Sequence, residues 1–285
     1  KDSIIEKTGL DDKDSILPRD IEISYYYKKN DSIYFFNNQN DSSVYIKKLP
    51  GRFSVSFDNN LIAFEPNILT EDITRKIRIY NRQKDKIISL NINNDNFFNP
   101  VWASNINCLV FNILHYSKWK IGFYNYKESS FKILNKDIYK NFFSPTWTAN
   151  GKHIMFHDMD TLFITDTNGN FINRIPMNQS PDVFSLSSSS EFVFPQDSSA
   201  IFFHATDQEN FSFEFSDKLY RYDLINNKVI KINNHSLSLV GINSVVGNNL
   251  LFSAQLKNSK EVNIYTLDLA NNEIFLVRKS SYLSQ

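Results

Sequence analysis

The sequence predicts an all-β fold, a six-bladed β-propeller of four-stranded antiparallel blades, and three observations carry that prediction. First, one segment occurs twice, 45 residues apart counted from Trp102 to Trp147. Asn99-Pro100-Val101-Trp102-Ala103-Ser104-Asn105 runs into Cys108-Leu109-Val110-Phe111, and Ser144-Pro145-Thr146-Trp147-Thr148-Ala149-Asn150 runs into His153-Ile154-Met155-Phe156. Second, Val55 to Phe64 aligns with Trp102 to Phe111, and Phe194 to Phe203 aligns with Trp147 to Phe156, each at an offset of 47. Third, weaker copies end at Phe36 and Phe252, which brings the hairpins to six. A repeat of about 40 to 50 residues built from short strands and polar turns is the signature of propeller blades.

Each hairpin is an apolar strand, a turn of Asn, Asp, Gly or Ser, and a second apolar strand. Those turn residues tolerate positive φ or bond their own backbone. A further pair of strands follows most hairpins. Lys218 to Asn227 precedes Lys228 to Ile232, Asn263 to Asn272 precedes Glu273 to Val277, and Thr161 to Ile175 turns at Asp166-Thr167-Asn168-Gly169-Asn170. Alternating apolar and polar residues over such lengths fit half-buried antiparallel strands. The first two hairpins are only 28 residues apart (Phe36 to Phe64), so the first blade is expected to lack its outer strand after Val44 to Leu49. Residues 21–285 form the propeller. Residues 1–20, with Ile4-Ile5 and then Asp11-Asp12-Lys13-Asp14, are either a linker or a strand that closes the ring.

Composition narrows the function classes. Apolar residues make up 41% and aromatics 15%, enough for a continuous core. Balanced charge, 31 basic against 31 acidic residues, lacks the basic excess that tracking a phosphate backbone requires, so no nucleic-acid contact is expected. Ser117-Lys118-Trp119-Lys120 is the most basic aromatic patch and reads as a solvated loop and strand edge. No apolar run reaches the roughly 18 residues needed to span a bilayer, so any membrane attachment would come from a segment outside this sequence. The single cysteine, Cys108, sits in an apolar strand and reads as an inert core thiol.

The search for chemistry finds little. His153 and His157 share a strand face but stand roughly 13 Å apart, too far to hold one ion. Asp158 and Asp160 read as turn residues. Asp166 to Asn170 lacks the glutamate of a calcium loop. There is no nucleophile elbow, phosphate loop or dinucleotide fingerprint, and the five histidines are spread along the chain. No metal, cofactor or catalytic residue is therefore expected. Trp102 and Trp147, at equivalent ends of the innermost strands, either pack blade against blade or line a channel mouth. Tyr25-Tyr26-Tyr27 is a further aromatic cluster. Phe211, Phe213 and Phe215 follow Asp207-Gln208-Glu209-Asn210 in a long insertion of the fifth blade. They read as one face of a strand or as a partner-binding loop.

The pattern Pro-x-Trp-x-x-Asn-Gly-Lys-x-Ile-x-Phe over 145–156, followed by Leu-Tyr-x-x-Asp-Leu strands such as Leu219 to Leu224, resembles the propeller repeat of the TolB family. The resemblance covers roughly Ile21 to Lys279; Ala149-Asn150-Gly151 stands nearest the usual Ser-Pro-Asp-Gly corner. It implies a non-catalytic protein-interaction module outside the cytoplasmic membrane, binding a protein or small ligand at a propeller face. Two arrangements fit. One is the sensor domain of a membrane-anchored transcriptional regulator resembling the CadC and ToxR type. The other is a free periplasmic scaffold. The competing class is an enzyme, a channel-centred hydrolase or lyase or the accessory propeller of a peptidase. It would need histidines and carboxylates converging on one pocket.

Overall fold

The computed structural model describes residues 23–278 apart from 30, 38, 40–41, 67–74, 91, 93–95, 178–183, 196–198, 208–216, 233–236, 257–258 and 260. Those residues form six antiparallel sheets in chain order, with no helix among them. The first blade comprises Ser24–Lys29, Ser32–Asn37 and Ser42–Lys48. The second comprises Phe53–Val55, Leu61–Phe64, Arg78–Asn81 and Lys86–Ser89. Phe97–Trp102, Cys108–His115, Lys118–Asn125 and Ser130–Leu134 make the third. Phe143–Trp147, Ile154–His157, Thr161–Thr165 and Phe171–Pro176 make the fourth. In the fifth, two short pieces, Phe184–Ser185 and Phe192–Val193, share the innermost place and both pair with Ala200–Asp207, before Asp217–Asp223 and Lys228–Ile232. The sixth comprises Leu237–Val246, Asn249–Leu256, Val262–Asp268 and Ile274–Arg278. The six-bladed propeller predicted from the repeat is thus the observed fold. Its short first blade has three strands among the described residues.

The turns form where the sequence places short polar residues. Asp31, Asn59, Asp85, Asn227 and Asn272 all take positive φ, a conformation whose cost their side chains reduce. Asp158 accepts the Thr161 amide at 2.9 Å, and Asp166 accepts those of Asn168 and Asn170 at 2.8 and 2.9 Å, so both segments are turns as expected. Pro100 and Pro145 lie in the innermost strands, which are sheet edges and tolerate a missing N–H.

The core lies between blades rather than within them. Six apolar clusters each join one blade to the next. Ile33 shares a cluster with Ile62, Ile79 with Phe111, Val110 with Phe156, Met155 with Phe203, Phe202 with Phe252, and Tyr25 with Leu251. The last of these packs the sixth blade on the first, so the ring closes by apolar contact. Trp102 and Trp147 belong to these clusters and are 5% and 6% exposed. The Trp147 indole Nε1 donates to the Val101 carbonyl of the preceding blade at 3.1 Å. Equivalent turn residues also touch: Ser104 Oγ donates to the Ala149 carbonyl and Asn105 Nδ2 to that of Asn150. The residues that announce the repeat therefore weld one copy to the next. Tyr25 and Tyr27 are likewise buried, and the Tyr26 hydroxyl donates to Asn59 of the second blade.

Candidate functional site

Antiparallel blades put two kinds of connection on one end of the ring: those from second to third strand, and those from the fourth strand to the next blade. The central channel opens there. Its lining follows from the repeat: three positions before each tryptophan or its equivalent stand Arg52, Asn99, Ser144 and Glu191, one per blade from the second to the fifth. All four line a channel cavity of about 650 Å³, with Ile242 of the sixth blade and Lys28 of the first. Asn99 and Ser144 take positive φ, 57° and 49°, at bulges between Phe98 and Val101 and between Phe143 and Thr146. A bulge re-aims a side chain, and here it recurs at the channel position of two consecutive blades.

Arg52 Nη1 lies 3.5 Å from Glu191 Oε1 and donates to Asn99 Oδ1 at 3.4 Å. The second and fifth blades face each other across a six-membered ring, so this ion pair bridges the channel. Above it a mouth of about 910 Å³ spreads over the second to fifth blades, sharing Gly51, Arg52, Asn99 and Ser144 with the channel. Its wall holds Phe98, edge-on to Trp119 at 4.9 Å, with the Arg75 guanidinium 4.7 Å from the Phe98 ring. The mouth is thus a cup with a charged floor and an aromatic wall. Gly51 makes the floor possible: its φ is +80° and a Cβ there would meet the Glu65 carbonyl oxygen.

A second ring of polar residues stands one position after the terminal phenylalanine of each hairpin: Asn37, Glu65, Asn112, His157, His204 and Ser253. Two of them hold the lead-in of the next innermost strand. Glu65 Oε2 accepts the Asn99 amide at 3.4 Å, and Asn112 Nδ2 donates to the Phe142 carbonyl at 2.9 Å. His157 is fully buried between Phe143 and Phe192, and its Nδ1 accepts the Met159 amide at 3.1 Å. Burial holds its pKa down at about 4; Asp158 and the Ser190 backbone oppose that shift, and His204 adds to it. His204 Nδ1 lies 3.4 Å from Asp217 Oδ2, and the His204 contact, with help from Thr206, lowers the Asp217 pKa. Glu191 Oε2 ties the blades in the same manner from the channel side, accepting the Ile242 amide at 3.0 Å.

The residues singled out by sequence fare differently. Trp102 and Trp147 lie between blades with no ring face open to a ligand. Phe211, Phe213 and Phe215 lie outside the described residues. Cys108 is buried and burial raises its thiol pKa, so it is a core side chain. The basic patch differs from its solvated reading, because strand alternation sends Trp119 to the mouth and Lys120 inward. Lys120 is 2% exposed, with Nζ on the carbonyls of Ile138 and Lys140. Among the described residues no three His, Cys, Asp or Glu side chains gather as a metal site. Arg52, Glu191, Arg75 and Trp119 were not picked out from sequence as site residues. Reading three positions before each repeat tryptophan would have found the first two.

No family model matches this chain, and no curated protein does. Solved structures do. TolB from Acinetobacter baumannii superposes with a TM-score of 0.63 at 12% identity, over 90% of this chain and 63% of that one. This chain thus spans less than two thirds of that TolB. Putative TolB from Agrobacterium tumefaciens gives 0.65 at 12% identity, over 87% of this chain and 88% of that one. Oligogalacturonate lyase from Vibrio parahaemolyticus gives 0.59 at 11%, over 85% and 73%. At such identities the likeness is one of fold. No helix among the described residues is long and apolar enough to cross a membrane.

Proposed function

We propose that this chain is a non-catalytic binding propeller that holds a segment of a protein partner in its mouth, outside the cytoplasmic membrane. The observation that carries this reading is the cup itself. Its floor is an ion pair, its wall is Phe98 and Trp119 with Arg75 stacked above, and its volume is about 910 Å³. Aromatic and arginine side chains in a recess are the groups that dominate protein recognition. Glu65 and Glu191 already accept backbone amides, and His157 and His204 are packed into the blades. The polar groups nearest the channel are therefore engaged in holding blades in register, which suits binding better than turnover. The likeness to TolB structures supports a scaffold that meets other proteins.

Within this reading we favour the sensor domain of a membrane-anchored transcriptional regulator over a free periplasmic scaffold. A cup closed at its floor is a terminus for a ligand, and so can report occupancy. Site-specific photo-crosslinking tests the binding face. A crosslinker at Trp119 should give one discrete adduct in the cell envelope, and one at Ile225, 78% exposed on the opposite end, should give none. Equal adducts from both ends would overturn the mouth as the binding face. The coding sequence upstream of Lys1 separates the two arrangements. A membrane helix behind a winged-helix domain is what the sensor requires; a cleavable signal peptide there would replace it with the free scaffold.

A further inference from the structure

From the second blade to the sixth, each third strand runs into an Asn or Asp whose side chain caps the following turn: Asn81, Asn125, Asp166, Asp223 and Asp268. Two positions before the cap stands a side chain turned toward the next blade. It is Ile79, Phe123 and Ile164 in the second, third and fourth blades, each buried in the cluster shared with the blade that follows. In the sixth blade it is Thr266, fully buried. In the fifth it is Arg221. Tyr220 and Tyr222 pack toward the fourth blade and Leu219 toward the sixth, so strand alternation aims Arg221 at the sixth as well. A charge that breaks the packing rule of its own repeat points to a function at that position.

Arg221 lines a cavity of about 540 Å³ where the fifth blade meets the sixth, at the end of the ring opposite the mouth. Pro195, Phe202 and Leu269 give the cavity apolar surface, and the sixth blade adds the turn at Gly247-Asn248. Space is open there, since a Cβ on Gly247 would meet nothing within 4 Å. Among the described residues the guanidinium makes no hydrogen bond or ion pair, and its Nε is buried without a partner. Asp223, the nearest acid along the strand, is engaged by the turn amides of Ile225 and Asn226 at 2.9 Å each. Those Asn226 contacts, more than Arg221, lower its pKa.

We propose that this cavity binds a small organic carboxylic acid, with its carboxylate on the fork of Arg221 and its apolar body against Phe202 and Leu269. A planar guanidinium matches a carboxylate with two parallel hydrogen bonds. One cation beside apolar surface suits a single negative charge on an apolar body. An inorganic oxyanion would leave that apolar surface uncovered. The site lies apart from the mouth and does not depend on what the mouth holds.

Hexanoate titrated into the isotope-labelled full chain tests the assignment by NMR, with hexanamide as the uncharged counterpart. The amides of Gly247 and Asn248 should shift and saturate with hexanoate, at a midpoint on the order of millimolar for so small an acid. Hexanamide should leave them in place. Arg221→Ile restores the residue of the second and fourth blades, so it should fold, and it should weaken hexanoate at least about tenfold. Arg221→Gln, which keeps a polar side chain without the charge, should weaken it likewise. Absence of a saturable shift at Gly247 and Asn248, an equal response to hexanamide, or binding that survives both variants would overturn the proposal. Sulfate that binds as tightly as hexanoate would show a plain anion site and equally overturn it.

Discussion

Replacing His157 with asparagine separates the packing of this buried polar side chain between Phe143 and Phe192 from its titration. The third blade already carries Asn112 at the equivalent position, where the amide donates to the Phe142 carbonyl at 2.9 Å. The variant therefore keeps a side chain that the repeat accepts. In the native chain His157 has no exposed surface, and burial sets its pKa at about 4 against an ordinary 6.5. The unfolded chain binds this proton below about pH 6.5, whereas the folded chain does so only near 4. Between those values unfolding takes up a proton, so stability rises with pH. The contribution is fully present above about pH 6.5 and is lost as pH falls through about 4. The slope is about 1.4 kcal/mol per pH unit, or about 3 kcal/mol over the window. Asp217, whose pKa is lowered by its His204 contact, loses its contribution below the ordinary carboxylate range, mostly outside this window. Urea unfolding at pH 4.5, 5.5, 6.5 and 7.5 gives the slope for each protein. His157→Asn should be flatter than the native chain by about one proton between pH 4.5 and 6.5. Equal slopes would refute the reasoning, because they would mean that His157 is protonated in the fold at no greater cost than in water.

Other substitutions test the welds between blades. Trp147→Phe strands the Val101 carbonyl and should cost about 1 to 2 kcal/mol more than Trp102→Phe, whose indole Nε1 has no hydrogen-bond partner among the described residues; paired denaturant midpoints measure the difference. Gly51→Ala places a Cβ against the Glu65 carbonyl at positive φ and should cost about 3 kcal/mol or more. Gly247→Ala, at φ +58° with nothing within 4 Å, should cost only about 1, and thermal melts rank the two. Glu191→Gln breaks the half-exposed pair with Arg52 but keeps an acceptor for the Ile242 amide, so it should lose less than about 1 kcal/mol. Glu191→Ala leaves that amide unpaired and should lose about 1 to 3, and denaturant unfolding of both variants checks the order.

The propeller was legible because its repeat is written in residues that touch one another. Pro100, Trp102 and Asn105 match Pro145, Trp147 and Asn150, and Asn105 and Trp147 make contacts across the interface between those copies. Such residues are visible at low overall similarity because each interface needs the same shape. The mouth was less legible for the same reason. Its positions differ from blade to blade, Arg52, Asn99, Ser144 and Glu191 in turn, so no single motif marks them. The turn at Tyr116-Ser117, both at positive φ, carries no Asn or Gly and gave no local signal. Lys120 was misread because its charge argued for solvent. Burial became possible only because the 135–141 connection brings two carbonyls to its ammonium, a tertiary fact that no local window contains.

The two polar rings also explain how a repeat with so few free chemical groups can still be specific. One ring follows each terminal phenylalanine, and from it Glu65 and Asn112 bind the next blade; the other precedes each tryptophan or its equivalent and faces the channel. Channel residues add lighter ties, Arg52 donating to Asn99 of the third blade and Ser144 Oγ to the Ser188 carbonyl of the fifth, while the main weld is carried by Trp147, Asn105 or Asn112 at other positions. Glu191 does both jobs, since one carboxylate reaches Arg52 across the channel and accepts Ile242 N–H of the next blade. Under the proposed reading, a ligand that competes for Arg52 frees one oxygen of that carboxylate, while the other keeps its hold on the Ile242 amide.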